Sequence, residues 1–441
     1  MTTKSPHILY VAWGFPPART GGVYRALATA NALAERGFTV TVLTTDEECW
    51  SKYTGADYSL VEQIDPRISV LRVPFDWPVL NANLSEYSWM RVRFPRLWNR
   101  VRQRKDRKIF PENSYGPWRH QIEKAALELH AKQPIDVVLS TANPNVAFTP
   151  AVLLHEKFGI PYFVDHRDAW TLDVFDGKLL FDFDTAQGKW EQRIFKDASG
   201  IWFVNEPIAK WHCERYPQYA HKISVVSNGW DPNFLDQEIV SQAQNVAKQQ
   251  LTFGYLGTVS SKVPIAEFVS GWNLAYQQDE IIKHSKADIR GYLGFYGTAN
   301  QQFLAVLSSG EEHGITYSGP VKKAEVSNLY QHWDVCLLIL GTGKYVTSGK
   351  VFEYMATGKP IISIHDPSNA ATDVLKDYPL WFHVNELTPS EIARVLIEVA
   401  HRIPLLSHQS KQEAVEFAQR FRRDNVLKVA IDNIAMQVGL K

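Results

Sequence analysis

A chain of 441 residues exceeds what one hydrophobic core usually organises, so two domains are expected. Its 47 basic and 47 acidic side chains cancel, which argues against a general nucleic-acid binder, and 45% hydrophobic with 21% charged residues is ordinary for a globular protein. Cys49, Cys213 and Cys336 stand far apart without CxxC spacing, against a disulfide framework or a zinc site and in keeping with a reducing compartment. No apolar run approaches the roughly 20 residues of a membrane span. "HILYVAW" is too short, and too soon broken by "GFPP", for a signal peptide, so a soluble chain is expected. Aromatic residues at 12%, with 14 Trp, suit sugar stacking, membrane edges or large cores alike.

In chain order, "HILYVAW" has strand length and ends in "GFPPARTGG". "VYRALATANALAERG" follows with Leu27, Ala30, Leu33 and Ala34 at helical spacing and a stop at Gly37, and "FTVTVLTT" completes a strand-loop-helix-strand unit. The alternation returns in "IDVVLST", the helical "NVAFTPAVLLHEKFG", "PYFVD", "GIWFV" and "KISVVSNG". Residues 231–250 are polar, without strong periodicity, and read as a connection. A second series begins at "LTFGYLGTVSSKVP" with the helix "IAEFVSGWNLAYQQ". It continues through the strands "GYLGFYG" and "ITYSGPV", the helix "KAEVSNLYQHW" and the strand "DVCLLIL". It closes with "PIISI", "PLWFHV" and the helix "PSEIARVLIEVAHRI". The final "KQEAVEFAQRFRRDNVLKVAIDNIAMQ" reads as one long amphipathic helix.

Buried strands alternating with helices predict an α/β chain of two Rossmann-like, doubly wound parallel-sheet domains. The expected boundaries are 1–235, 236–420 and a C-terminal helix, 421–441, returning to the first domain. Open parallel sheets bind ligands at the carboxyl ends of their strands, so two such domains would face each other across a substrate cleft.

Three stretches offer chemistry there. Gly21 and Gly22, at the mouth of the first helix and flanked by Arg19 and Arg25, let an anion approach backbone amides, although "GFPPARTGG" is not the GxGxxG of a dinucleotide site. In "TSGKVFE", Thr347, Ser348 and Gly349 gather hydroxyls and amides at a helix start suited to phosphate. Lys350 adds positive charge, and the carboxylate of Glu353 suits a pair of vicinal ribose hydroxyls. The plainer alternative is that Lys350 pairs with Glu353 three residues on. Phe352, Met355 and Ala356 should pack inward. In "GTVSSK", Gly257 and Thr258 end a strand and Lys262 would complete a two-cation clamp on a diphosphate.

In that order along nearly the whole chain, "FPPARTGG", "FGIPYFVDHRDAW", "VVSNGWDP", "LGTVSSK", "YSGPVKKAEVSNLYQHWDVCLL" and "TSGKVFEYMATGKPII" resemble glycosyltransferase family 4, the retaining GT-B type, in its bacterial surface-polysaccharide branch. The resemblance implies a nucleotide-sugar donor held by the C-terminal domain, a glycan or polyprenyl-linked acceptor held by the N-terminal one, and neither a cofactor nor an essential metal. It gives Glu353 the donor ribose and Lys262 the diphosphate, and puts Gly21 and Gly22 beside the phosphates and acceptor. Arg167 and Asp168, with His166 before them, stand where the family often has His-Asp. Arg167 is the candidate for charge near the reacting centre and Asp168 for orienting it or an acceptor hydroxyl; a structural Arg-Asp pair is the alternative. The pattern is broken twice. Tyr345 replaces the first of two signature glutamates, leaving sugar identity open, and Thr258 stands where many relatives have arginine. A GT-B sugar-nucleotide epimerase and a noncatalytic scaffold or glycan-binding protein are the rival readings.

The segment 89–118 interrupts the first domain. From Arg91 to Lys108 it carries nine basic residues and one acidic, Asp106, interleaved with Phe94, Leu97, Trp98 and Val101. Such a segment suits an anionic lipid surface, and hence a cytoplasmic protein peripheral to the membrane. A solvated basic helix or a site for a soluble anionic acceptor would read the same way, whereas no nucleic-acid motif accompanies the patch.

Overall fold

The computed structural model describes residues 5–232, 235, 250–294, 299–322, 325–341 and 343–440. Most of the polar connection expected at 231–250, with the boundary placed in it, lies outside these residues. The chain divides into two compact units. The first contains the described residues of Met1–Val174, Lys178–Ser227 and Leu427–Lys441, and the second those of Phe175–Gly177 and Asn228–Val426.

The first unit is built on a seven-stranded parallel sheet. Its strands are β1 (His7–Ala12), β2 (Thr39–Thr45), β3 (Ser69–Val73), β4 (Val137–Thr141), β5 (Tyr162–Arg167), β6 (Gly200–Phe203) and β7 (Ile223–Val225), in the order β3-β2-β1-β4-β5-β6-β7. β1 and β4 are buried at every position, the mark of a strand covered on both faces. The strand order reverses between β1 and β4, so their carboxyl ends frame the crevice of this unit.

The second unit has six parallel strands: β8 (Thr252–Leu256), β9 (Lys286–Arg290), β10 (Ile315–Tyr317), β11 (Val335–Ile339), β12 (Ile361–Ile364) and β13 (Trp381–His383), in the order β10-β9-β8-β11-β12-β13. Alternation along β11 feeds two separate cores. Val335, Leu337 and Ile339 join Phe253, Trp272 and Leu396 on one face, while Cys336 and Leu338 join Phe352, Tyr354 and Met355 on the other. Here the reversal lies between β8 and β11.

Two expected elements differ. "GYLGFYG" is not a strand in its described part, 291–294; residues 295–298 are outside the described set. The strand is the preceding Lys286–Arg290, whose charges hid it. Its Ala287 and Ile289 enter the core, while the Asp288 carboxylate accepts from Trp333 Nε1 at 3.0 Å and Arg290 Nε at 2.7 Å. Trp333 comes this close because Gly254 has no side chain: a Cβ there would stand 1.8 Å from the indole. The single C-terminal helix is two, His408–Gln419 and Arg423–Gln437. Between them Trp230 pairs with the chain through its backbone, donating to Phe421 O at 2.9 Å and accepting from Arg423 N at 2.9 Å, and its indole donates to Ala418 O. From Leu427 the last helix belongs to the first unit, where Asp432 bonds Arg36 at 2.7 Å.

Candidate active site

In the second unit the strand reversal holds a cavity of about 170 Å³. It is lined by Gly257 and Thr258 from the end of β8, Gly341 beyond β11, and Ser348 and Lys350 from the following helix. Four residues singled out in the sequence therefore meet at one opening. Gly349–Ala356 is a helix because Ser348 caps it, its hydroxyl accepting from Lys350 N at 3.3 Å, and because Val351, Phe352, Tyr354 and Met355 bury one face. Tyr354 ties it to β8, its hydroxyl accepting from Leu256 N at 3.0 Å. A Cβ on Gly349 would meet nothing within 4 Å, so space is open over this helix start, where amide dipoles favour an anion. Thr347 is buried just before the cap.

Lys350 Nζ donates to Glu353 Oε2 at 2.9 Å and to the Tyr330 hydroxyl at 3.3 Å, so the local pairing expected as the alternative is present. The same carboxylate oxygen also accepts from the Tyr330 hydroxyl at 2.6 Å. Burial and the neighbouring Glu353 hold the Tyr330 hydroxyl well above its ordinary pKa, so it remains a donor. Tyr330 lies 23 residues before Glu353 on another helix, Val326–His332, and no local pattern marked it. Lys262 is exposed, its ammonium 3.7 Å from the centre of the Phe175 ring, and its backbone abuts Gly341 at the cavity rim. Tyr345 lies against Gly177, where an added Cβ would approach its ring at 3.1 Å.

In the first unit Gly22 precedes the helix Val23–Glu35 and faces Arg167: a Cβ on Gly22 would lie 2.4 Å from Arg167 Nη1. Arg167 takes φ 58°, uncommon for a residue with a side chain, as the sheet register shifts between Asp165 and Arg167, and its Nη1 donates to Ala142 O at 3.1 Å. Asp168 stands beside it, 3.5 Å from Asn143 Nδ2, and burial raises its pKa against the opposing charge of Arg167. Gly21 is at the same turn, with open space where its Cβ would be. A cation, a carboxyl group of raised pKa and a bare turn thus gather at the carboxyl ends of central strands of one sheet, an arrangement able to receive an anion or a hydroxyl.

Two residues read toward phosphate and acceptor do other work. Arg25 is 4% exposed, and its guanidinium donates twice to Asp165, at 2.8 Å from Nε and 2.8 Å from Nη2, and to Ser227 O at 2.9 Å. Burial opposes the Arg25 charge, but the Asp165 carboxylate outweighs it and the net shift is upward. His166 is fully buried among Phe148, Phe195 and Phe203, and burial brings its pKa down to about 4, leaving a neutral core ring. The period of two in β5 points Asp165 and His166 to opposite faces, a signal that could have separated them.

Gly22→Ala should push the Arg167 guanidinium aside with little loss of stability, since the far end of a flexible side chain can move. Turnover is expected to fall at least tenfold with the melting temperature nearly unchanged; full turnover would detach Arg167 from the chemistry.

With this geometry in hand, residues 20–229 match the model of the glycosyl transferase 4-like domain. No curated protein matches the sequence. Among solved structures, a glycosyltransferase from Rickettsia africae is similar at TM-score 0.64 and 14% identity, covering 99% of each chain. Anabaena HepE in complex with UDP is similar at TM-score 0.61 and 13% identity, over 98% of this chain and 100% of that one. WaaG, a glycosyltransferase involved in lipopolysaccharide biosynthesis, is similar at TM-score 0.56 and 12% identity, over 96% and 98%. The fold is GT-B. The matched stretch, a little under half of the chain, is a glycosyltransferase 4-like domain.

Proposed function

We propose that the chain is a retaining glycosyltransferase that moves a sugar from a nucleotide-sugar donor to a glycan or polyprenyl-linked acceptor in surface-polysaccharide synthesis, working on the cytoplasmic side of the cell membrane. The observation that carries the reading is the cavity at the β8/β11 reversal, which joins an open helix start, Thr258, Ser348 and Lys350. UDP in the HepE structure supports a nucleoside diphosphate as its occupant, and WaaG supports an envelope glycan as the product class.

In this reading Glu353, held by Tyr330 and Lys350, takes the ribose hydroxyls. The amides at Ser348 and Gly349 receive the diphosphate, with Gly257 and Thr258 along the opposite wall. As the glycosidic bond to the diphosphate breaks, charge grows on the departing oxygen, and Lys262 and Lys350 stabilise it without calling on a metal. The acceptor hydroxyl adds to the anomeric carbon on the face the diphosphate leaves, and its proton passes to the leaving phosphate. In the first unit, Arg167 and Asp168 beside the Gly21-Gly22 turn are the candidates to position an acceptor hydroxyl.

Thermal stabilisation by UDP, GDP, ADP, dTDP and CMP tests the cavity directly; no shift with any of them at millimolar concentration would sink the donor site. Lys262→Ala should then lower turnover on the order of a hundredfold while donor affinity changes less than threefold, because its charge matters most as the bond breaks. Equal losses would make Lys262 a ground-state binding residue. Nucleotide release that requires an acceptor separates transfer from epimerisation and from a noncatalytic scaffold.

A further inference from the structure

We propose that the outer face of the helix Pro95–Ile109, together with the preceding helix Trp89–Arg93, is a docking surface for an anionic lipid bilayer. The inference rests on this surface alone and not on the transfer reaction. Helical spacing puts Arg96, Arg100, Arg104 and Arg107 along one exposed stripe, with Leu97 and Lys108 at its edge. Asp106, the one acid of the segment, points the other way: it is 4% exposed, with Arg102 Nε 3.7 Å away. Among the described residues the four stripe arginines make no ion pair, so their charge is uncompensated toward solvent. The helix is anchored behind this face by the buried Phe110, stacked on Trp170 at 5.5 Å.

Charge alone would suit any polyanion, but apolar exposure at the same end favours lipid. Trp89 is 75% exposed, Val92 66%, Phe94 49% and Leu97 50%, whereas large apolar side chains lose free energy in water without a partner. Arg91 stacks on Tyr87 at 3.5 Å and on Trp98 at 4.8 Å, fixing the start of the segment. Guanidinium groups at headgroup level with Trp, Phe and Leu just beneath are the two components of interfacial binding. Among the described residues no helix is long and apolar enough to cross a membrane, so docking would be on the surface.

The test is sedimentation of the full chain with vesicles of phosphatidylcholine, with and without phosphatidylglycerol. Binding is expected only with phosphatidylglycerol, weakening as salt rises. At about fivefold per basic side chain near an anionic surface, Arg96→Gln/Arg100→Gln/Arg104→Gln/Arg107→Gln should lower partitioning several-hundred-fold. Trp89→Ser/Phe94→Ser/Leu97→Ser should lower it as well while leaving affinity for heparin, a soluble polyanion, unchanged. All seven positions are exposed, so both variants should melt with the parent. A parent protein that ignores phosphatidylglycerol vesicles overturns the proposal. So does an apolar variant that binds vesicles as the parent does, since the patch would then be a site for soluble polyanions.

Discussion

Glu353→Ala should bind its nucleoside diphosphate about thirty- to seven-hundred-fold more weakly than the parent. Two ribose hydroxyls donating to a carboxylate are each worth about 1.5–3 kcal/mol, and removal of the pair, allowing for water that takes their place, leaves about 2–4 kcal/mol at 1.4 kcal/mol per tenfold. One effect runs the other way. Lys350, released from Glu353, would be free to approach the diphosphate, and Tyr330 would lose its acceptor. A partly exposed ion pair is worth no more than about 1 kcal/mol, so the loss of the carboxylate dominates. Glu353→Gln, which keeps one acceptor and Tyr330's partner, should fall between the two. Calorimetric titration with the nucleotide that stabilises the parent reads the effect, and thermal melting checks the fold. If Glu353 served only the helix pair with Lys350, nucleotide affinity would stay within threefold, and the ribose role would be lost.

Tyr330→Phe sharpens the same argument. The buried hydroxyl, at 2.6 Å, restricts where the Glu353 carboxylate can sit, and only the fold brings the two together. Much of this cradle was nevertheless legible in the sequence, because a capped helix start after a buried strand is written locally. Ser348, Gly349 and Lys350 follow one another, and Gly257 and Thr258 end their own strand. Their convergence follows from strand order, which the alternation of strands and helices makes accessible. The strand Lys286–Arg290 was hidden for the opposite reason. Asp288 and Arg290 break the apolar run expected of a buried strand, and their acceptability depends on Trp333, 45 residues away from Asp288. The break in the C-terminal helix likewise depends on Trp230, 188 residues from the Ala418 carbonyl it binds. Arg25 and Asp165 are separated by 140 residues, and charge near a glycine turn reads as a ligand site until its distant carboxylate is seen.

That pair carries the largest expected effect on stability. Asp165→Leu should destabilise the first unit by about 3–5 kcal/mol, because it leaves a buried guanidinium without its counter-charge. The Asp165 carboxylate also accepts from Thr141 Oγ1 at 3.1 Å, but that hydroxyl keeps the Ala142 carbonyl as an acceptor at 3.1 Å, so the stranded guanidinium dominates the loss. Arg25→Met should cost a similar amount by stranding the carboxylate. Arg25→Met/Asp165→Leu removes both charges and keeps much of the volume, so it should recover a substantial part of the loss, giving a coupling well outside additivity. Urea unfolding of the four proteins measures this directly. The cycle also decides what Arg25 does: a structural arginine predicts coupled losses of stability with nucleotide affinity intact in the double variant. An arginine reaching the donor phosphates predicts the reverse, additive stabilities and an affinity loss that Asp165→Leu does not repair. With three of its donors already bonded to Asp165 and Ser227, the coupled outcome is the expected one.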